Sequence, residues 1–326
     1  MHEIVIREKK NREETPDDNL AVSPALVSID WEIIIKQFIA AQDVSAISKA
    51  TYLRQIRQFV VWLASVNKLH TVHVLSREDL LEYKENLIAL KMSCYTISGY
   101  ITVVRKLFEW LESIKLFPNI ARGLKGAKKA KGFRKDCLTI SQVKDVLQVI
   151  DKTNLQGLRN YALINLLVRT GLRTIEITRA RIEDLRQESG EAVLWVQGKG
   201  RESKDDFVLL VDETLKPLRE YLSKRKPKSE QEPLFAPLNQ RHKERFLTTR
   251  MVSGIVKQSF RKAGLDDKRL TAHSLRHTAI SLSIKGGASL VQAQAMARHT
   301  DPKTTMVYFH NQSRIKSGAE KFIKIE

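Results

Sequence analysis

Apolar side chains recur at helical spacing through the first third of the chain. Tyr52, Ile56, Phe59, Val60 and Leu63 form one set, and Ile97, Ile101, Val104, Phe108 and Leu111 form another. Each set predicts one buried helix face. Between them, "SREDLLEYKENLIAL" opens with Ser76 and carries Asp79 three residues on, an N-terminal capping pattern ahead of a further amphipathic helix. Residues 26–120 are therefore expected to form a helical domain. The first 25 residues are polar, of both charge signs and without helical period, and read as a flexible arm.

Pro118 closes this pattern, and residues 121–136 read as a basic linker. Within them "RGLKGAKKAKGFRK" holds seven basic side chains, three glycines and no acid. Lys125, Lys128, Lys129, Lys131 and Arg134 are the expected contacts to a phosphate backbone. "LTISQVKDVLQVI" then starts a second domain, 137–310, with a capping box from Thr139 to Gln142. The helix "RNYALINLLVRT" stops at Gly171. In "EAVLWVQGKGRESKDDFVLLV" the period changes, and two β-rich runs flank a Gly-Lys-Gly turn, which predicts a β-hairpin. Helices return at "DETLKPLREYL", "TTRMVSGIVKQSFRKAG", "TAHSLRHTAISLSI" and "SLVQAQAMA". The expected fold class is mainly α with a small β-sheet, in two domains and without internal repeats.

Composition adds a partner. Of 326 residues, 42% are hydrophobic and 29% charged, as in ordinary globular proteins, but 56 Lys plus Arg face 37 Asp plus Glu for a net charge of +19. Such an excess favours a polyanion as partner. The two cysteines, Cys94 and Cys137, make neither a metal-ligand pattern nor a disulfide framework, which suits a reducing cytoplasm. The opening residues lack signal or transit character, and no run approaches the roughly 18 apolar residues of a membrane span. A cytoplasmic protein with no membrane association is expected.

The candidate chemistry lies in the second domain. In "TAHSLRHTAI", His273 and His277 stand four residues apart with Arg276 between them. A zinc site of the metalloprotease kind would carry a glutamate directly after the first histidine. Ser274 stands there, and Arg276 would repel a cation. His273 and Arg276 share a helix face instead and can converge on an anion. Arg173 follows the helix end at Gly171, Lys199 sits between Gly198 and Gly200, and "MARHTDPKTTMVYFH" supplies His299 and, nine residues later, Tyr308. Singly, each has a plain structural use: a helix-end ion pair, a turn residue, a helix-end histidine, a core tyrosine.

In the order Arg173, Lys199, His273, Arg276, His299, Tyr308, these residues resemble the active-site set of the tyrosine recombinases, the phage-integrase family. The resemblance covers nearly the whole chain. It includes the "TGLR" phrase with Glu176 three positions beyond Arg173, the glycine-flanked lysine, the His-x-x-Arg-His phrase and the nine-residue step to Tyr308. It implies a two-domain DNA clamp, with a helical, SAM-like core-binding domain and a mixed α/β catalytic domain. The implied activity is cleavage and rejoining of DNA strands through a 3′-phosphotyrosyl intermediate. The implied partners are double-stranded DNA with specific recombination sites and, on two such sites, a homo-tetramer of protomers that are monomeric when free. It implies no cofactor and no metal.

The chemistry justifies the roles the resemblance assigns. A phenolate nucleophile, Tyr308, conserves the bond energy in a covalent intermediate. Negative charge then grows on the nonbridging oxygens, where the forked donors of Arg173 and Arg276 and a hydrogen bond from His299 are effective. The leaving 5′ oxygen needs a proton, for which Lys199 is the candidate acid. His273 is the candidate base, although arginine neighbours could themselves lower the phenol pKa. Glu176 is expected to orient one of the basic groups, and His277 to lie on the packing side of its helix.

One position departs from the family. Ala297 and Arg298 stand where Leu-Gly usually precedes the histidine. Helix termination is then expected to pass to Asp301 and Pro302, with Arg298 as an extra cation near the phosphate. The tail, 311–326, ends with Phe322, Ile323 and Ile325 among lysines and is expected to dock, either on its own domain or on a neighbouring protomer. Rival readings are a type IB topoisomerase acting without sequence preference, a noncatalytic DNA-binding protein, which would lose members of the set, and a zinc hydrolase, which needs further ligands. Element integration or excision and dimer resolution both remain open as the biological task.

Overall fold

A computed structural model describes residues 30–69, 75–128, 136–198, 200–238, 245–316 and 323, with backbone only for 310–316. The expected arm, Lys129, Lys131, Arg134, Lys199, and the tail beyond residue 316 apart from Ile323 lie outside the described residues. The chain divides into one unit up to Lys131 and a second from Gly132.

The first unit holds α1 (Trp31–Ala41), α2 (Ala46–Ser65), α3 (Arg77–Ala89) and α4 (Cys94–Ser113). Polar side chains start them: Asp30 accepts from the Glu32 amide, Ser45 from Ser48 and Ser93 from Thr96. At α3 the Ser76 amide donates to Asp79 Oδ2 at 2.8 Å, the expected capping contact. The core is aromatic. Phe59 is fully buried, edge-on to Tyr83 with ring centroids 4.9 Å apart and stacked on Trp62 at 6.0 Å. All five members of the second periodic set are buried, as are Ile56 and Leu63 of the first, while Tyr52 and Val60 are half-buried on its margin.

The linker expectation is corrected over 121–127. Ala121 and Leu124 are buried in the first unit's core, Arg77 Nη1 donates to the Arg122 carbonyl at 2.6 Å, and Ser98 Oγ donates to that of Ala127 at 3.3 Å. Two apolar side chains three apart outweigh the surrounding lysines and glycines, because only they can be buried. Lys125 and Lys128 are exposed.

The second unit runs α5 (Ile140–Gln148), α6 (Leu155–Thr170), α7 (Thr174–Arg179), a 3₁₀ turn (Ile182–Asp184), β1 (Leu185–Glu188), β2 (Glu191–Val196) and β3 (Asp206–Leu209). It continues through α8 (Asp212–Arg225), α9 (Thr249–Lys262), α10 (Ala272–Lys285), α11 (Leu290–Ala297) and α12 (Pro302–Lys316). The strands form one antiparallel sheet in sequence order, with Leu194 facing Leu185 on one side and Val208 on the other. β2 and β3 are the expected hairpin. β1 was not foreseen, since its residues are half-buried or exposed and carry no apolar alternation. Helix α6 is buried on nearly every side and packs against α8 and α10, as an element apolar all round should. A smaller apolar cluster of Ile280, Ile284, Ala293, Ala297 and Tyr308 seats α12 on α10 and α11. Among the described residues no helix is long and apolar enough to cross a membrane.

Candidate active site

Three chain segments of the second unit meet around Arg276. The first is the turn after α6. Gly171 caps that helix in the left-handed region, φ +63°, which a glycine adopts without strain, and its carbonyl accepts from Arg276 Nη1 at 2.6 Å. Two residues on, Arg173 is the N-cap of α7, so its backbone and side chain both face the acid one turn later. Its amide donates to Glu176 Oε2 at 2.8 Å and its Nη1 to Oε1 at 2.8 Å.

The second segment is α10, which carries His273, Arg276 and His277. Arg276 is 2% exposed, and its guanidinium is fixed by the carbonyls of Gly171 and Ala297. Two of its five N–H donors are so engaged, and the fork is held rigid before any ligand arrives. His273 is exposed, with its ring edge-on to that of His277 at 4.8 Å.

The third segment is the turn between α11 and α12. Arg298 ends α11 in the left-handed region, φ 52°, a conformation costing a non-glycine residue on the order of 1 kcal/mol. The termination expected of Asp301 and Pro302 is thus made by Arg298 itself. Asp301 instead accepts from the Lys303 amide at 2.9 Å and Pro302 opens α12, where its missing N–H is no loss. This turn places His299: its amide donates to the Gln294 carbonyl at 3.3 Å, and its Nδ1 lies 2.9 Å from Thr305 Oγ1 on α12. Tyr308, one turn further along α12, is 4% exposed and its hydroxyl hydrogen-bonds His277 Nδ1. Its ring centroid lies 5.6 Å from that of His277 and 6.4 Å from that of His299.

Burial and clustered cations set the electrostatics. Burial by itself would raise the Glu176 carboxyl, but Arg298, followed by Arg173, holds it below the usual carboxylate range. Burial, reinforced by Arg173 and Arg298, pushes Arg276 down to about 9, so it remains a cation at neutral pH. Burial and cationic neighbours also push His277 and His299 to about 4, leaving both imidazoles neutral. Burial drives the Tyr308 phenol up against the opposing pull of Arg276. The site is thus cationic at Arg276, neutral at His277 and His299 and protonated at Tyr308. Such a set of fixed cations can stabilise an anion.

Arg173, Glu176, Arg276, His299 and Tyr308 are therefore brought together, with His273 beside them on α10. Two residues were undervalued. His277 was assigned to packing, yet it touches the Tyr308 hydroxyl. The signal was available, because residues 273, 276 and 277 lie at i, i+3 and i+4 and share one face. Arg298 was foreseen only as a loose cation, yet its Nη2 donates to Glu176 Oε2 at 2.8 Å and its side chain is 5% exposed. Among the described residues no group of three His, Cys, Asp or Glu could hold a metal ion.

The phage integrase family model matches residues 136–314, the whole stretch from α5 to α12. Over the longer chain, the tyrosine recombinase XerD of Listeria monocytogenes is 27% identical across 295 residues, 89% of this chain and 95% of that protein. The tyrosine recombinase XerD of Oceanobacillus iheyensis is 30% identical across 280 residues, 84% of this chain and 91% of that protein. The fold is similar to the XerH site-specific recombinase bound to its palindromic difH substrate in a post-cleavage complex. That match has TM-score 0.71 and 21% identity, covering 89% of this chain and 84% of that one. It is also similar to a lambda integrase tetramer bound to a Holliday junction, at TM-score 0.66 and 15% identity, covering 86% and 77%. A family match over more than half the chain, on a fold that gathers Arg173, Arg276, His277, His299 and Tyr308, places this protein in the phage integrase family, as a tyrosine-type site-specific DNA recombinase.

Proposed function

We propose that Tyr308 Oη attacks the scissile phosphate, forming a 3′-phosphotyrosyl bond as the bond to the 5′ oxygen breaks. The phenol proton passes to an imidazole, and Lys199 protonates the leaving 5′ oxygen. A 5′-hydroxyl of the partner strand then attacks the phosphotyrosine, restoring a phosphodiester and the free tyrosine. Arg276 and Arg173 bind the nonbridging oxygens, His299 adds a donor, and Glu176 orients Arg173. The observation that carries this reading is the meeting of Tyr308 from α12 with His277 and the buried, doubly anchored Arg276 from α10.

For the base there are two readings. The family resemblance assigns His273, whereas the hydrogen bond between Tyr308 and His277 favours His277. With His277 pushed down to about 4 and the phenol pushed up, transfer is uphill in the arrangement described. A bound phosphate reverses part of that, because its negative charge raises the proton affinity of His277.

On DNA, the helical unit and the catalytic unit act as a clamp. Lys125 and Lys128, with Lys129, Lys131 and Arg134, supply phosphate contacts. Four protomers, monomeric when free, join two recombination sites in the cytoplasm, with the tail beyond α12 linking neighbours. The known tetramer of a structurally similar integrase on a Holliday junction supports this assembly. The task is integration or excision of a mobile element, or resolution of chromosome or plasmid dimers.

Trapping on a nicked suicide duplex tests the chemistry. Tyr308→Phe keeps the ring and its packing, so DNA binding should persist while the covalent adduct disappears. An adduct formed by the Phe variant would remove Tyr308 from the nucleophile's role. In the same assay His277→Ala and His273→Ala identify the base by the larger loss of adduct rate.

A further inference from the structure

Arg298 occupies its position against three local penalties. Its backbone is left-handed at φ 52°, its guanidinium is buried, and its Nε is buried without a hydrogen-bond partner among the described residues. A glycine there would remove all three while preserving the helix end. Stability alone therefore does not account for this side chain. Its contacts point elsewhere: Nη2 donates to Glu176 Oε2 at 2.8 Å and Nη1 to the Met296 carbonyl at 2.7 Å, while the Arg298 carbonyl accepts from Arg173 Nη2 at 3.4 Å.

The charge arithmetic gives those contacts meaning. Glu176 is fully buried and pairs through Oε1 with Arg173. Alone, that pair would be neutral, and the carboxylate would compete with a phosphate for the same guanidinium. With Arg298 on the second oxygen, one carboxylate is shared by two guanidiniums and the trio carries a net positive charge. The carboxylate still aims Arg173 but no longer cancels it. We propose that Arg298 is a positioning residue for recombination, holding Glu176 so that this carboxylate fixes the Arg173 guanidinium for the scissile phosphate without neutralising it. The inference rests on the reading of Arg173 as a phosphate-binding group.

The groups facing Glu176 are Arg173 on α7, Arg298 after α11 and Arg276 on α10. Across a cavity of about 230 Å³ lie Arg201 and Asp205 from the β2–β3 connection and Asp206 at the start of β3. Losing Arg298 leaves burial less opposed, so the Glu176 carboxyl takes up a proton at higher pH and then ceases to hold Arg173. Loss of Arg298 should therefore hurt most at low pH.

The test uses the full chain and single-turnover cleavage of the suicide duplex. Arg298→Gly suits the left-handed backbone and should keep the wild-type fold by circular dichroism and the wild-type affinity for the duplex. It should cleave about 10-fold more slowly, as loss of a residue behind a ligand-binding group typically does. The acid limb of its pH–rate profile should move to higher pH, and Arg298→Lys should recover part of the rate. In a Glu176→Gln background, substituting Arg298 should change the rate less than about 2-fold, because the two act as one unit. Wild-type cleavage by Arg298→Gly across the pH range overturns the inference. So does full additivity with Glu176→Gln, or a parallel loss of DNA affinity, which would make Arg298 a direct DNA contact. Arg173→Ala separates this from the underlying reading: an active Arg173→Ala removes both, whereas an inactive Arg173→Ala beside a wild-type Arg298→Gly removes the inference alone.

Discussion

The unit up to Lys131 and the unit from Gly132 bury apolar side chains alike, but they differ in the charge they bury. Among the described residues, Asp79 is the buried charge of the first unit, and it caps α3 while pairing with Lys68. The second unit buries Arg159, Glu176, Asp184 and Arg276. Of these, Arg159 reaches the Ala236 carbonyl and Asp184 pairs with Lys204 at 2.6 Å, so both serve the fold. Arg276 and Glu176 are different. Arg173, Arg276 and Arg298 gather around the one carboxylate of Glu176, and cations in excess of their buried counter-charge are costly unless an anion balances them. Burial of charge therefore does not mark a site by itself; an unbalanced sum does.

The sharpest way to break this contrast is to separate charge from proton transfer within the site. Arg276→Ala should reduce cleavage by about 10²–10³-fold, the usual cost of deleting a preorganised donor to developing negative charge. The loss should be similar on a normal phosphodiester and on one whose 5′ bridging oxygen is sulfur. Lys199→Ala should cost about 10²–10⁴-fold on the oxygen substrate and far less on the sulfur one, because a thiolate leaves without a proton. Equal losses for Lys199→Ala on the two substrates would remove it from the acid's role.

The two units also differed in how much their residues announced. In the first, 3.6-residue periodicity found the buried faces of α2 and α4, and Ser76 with Asp79 found the start of α3. These signals are local, and packing acts on them directly. In the second unit the site is assembled from residues more than a hundred positions apart. The resemblance could name its members, but not the fact that His277 faces Tyr308 or that Arg298 shares Glu176. Both depend on how α10, α11 and α12 pack, which no local pattern encodes. Ala121 and Leu124 were missed for the opposite reason, since a conspicuous run of lysines and glycines hid two plainly apolar positions.

If the first unit is a scaffold held by apolar contact, its largest response should be to a cavity. Phe59 touches Trp31, Trp62, Tyr83 and Phe108 and is fully buried. Phe59→Ala should lower unfolding free energy by about 3–5 kcal/mol and Phe59→Leu by clearly less. Single-turnover cleavage at saturating duplex and low temperature should stay within about 3-fold of wild type, since the residues proposed for catalysis all lie in the other unit. A denaturant melt and a trapping assay on the same preparation check both. Destabilisation below about 1 kcal/mol for the Ala variant would mean that the aromatic cluster is not what holds these helices.

The smallest effect comes from matching the two buried acids. Asp79 and Glu176 both accept from the backbone amide three residues earlier, and both pair with a cation. Burial opposes the charge on Asp79, but Lys68 and then the Ser76 amide outweigh it, and the carboxyl is held below its usual value. An acid whose folded-state pKa is lowered adds stability that is fully present above its ordinary pKa and is lost as pH falls through the folded value. Asp79→Asn should therefore cost about 1 kcal/mol near neutral pH, the usual worth of a helix cap, and the cost should shrink toward zero in acid, where the wild-type carboxyl is itself protonated. Cleavage by Asp79→Asn should be unchanged, because the partners of this charge, Ser76 and Lys68, both lie in the helical unit. Chemical denaturation of both proteins between neutral pH and pH 3 gives the first result, and the suicide duplex gives the second. A constant stability difference over that range would detach Asp79 from the pH dependence, and a loss of cleavage would tie this buried charge of the helical unit to the chemistry.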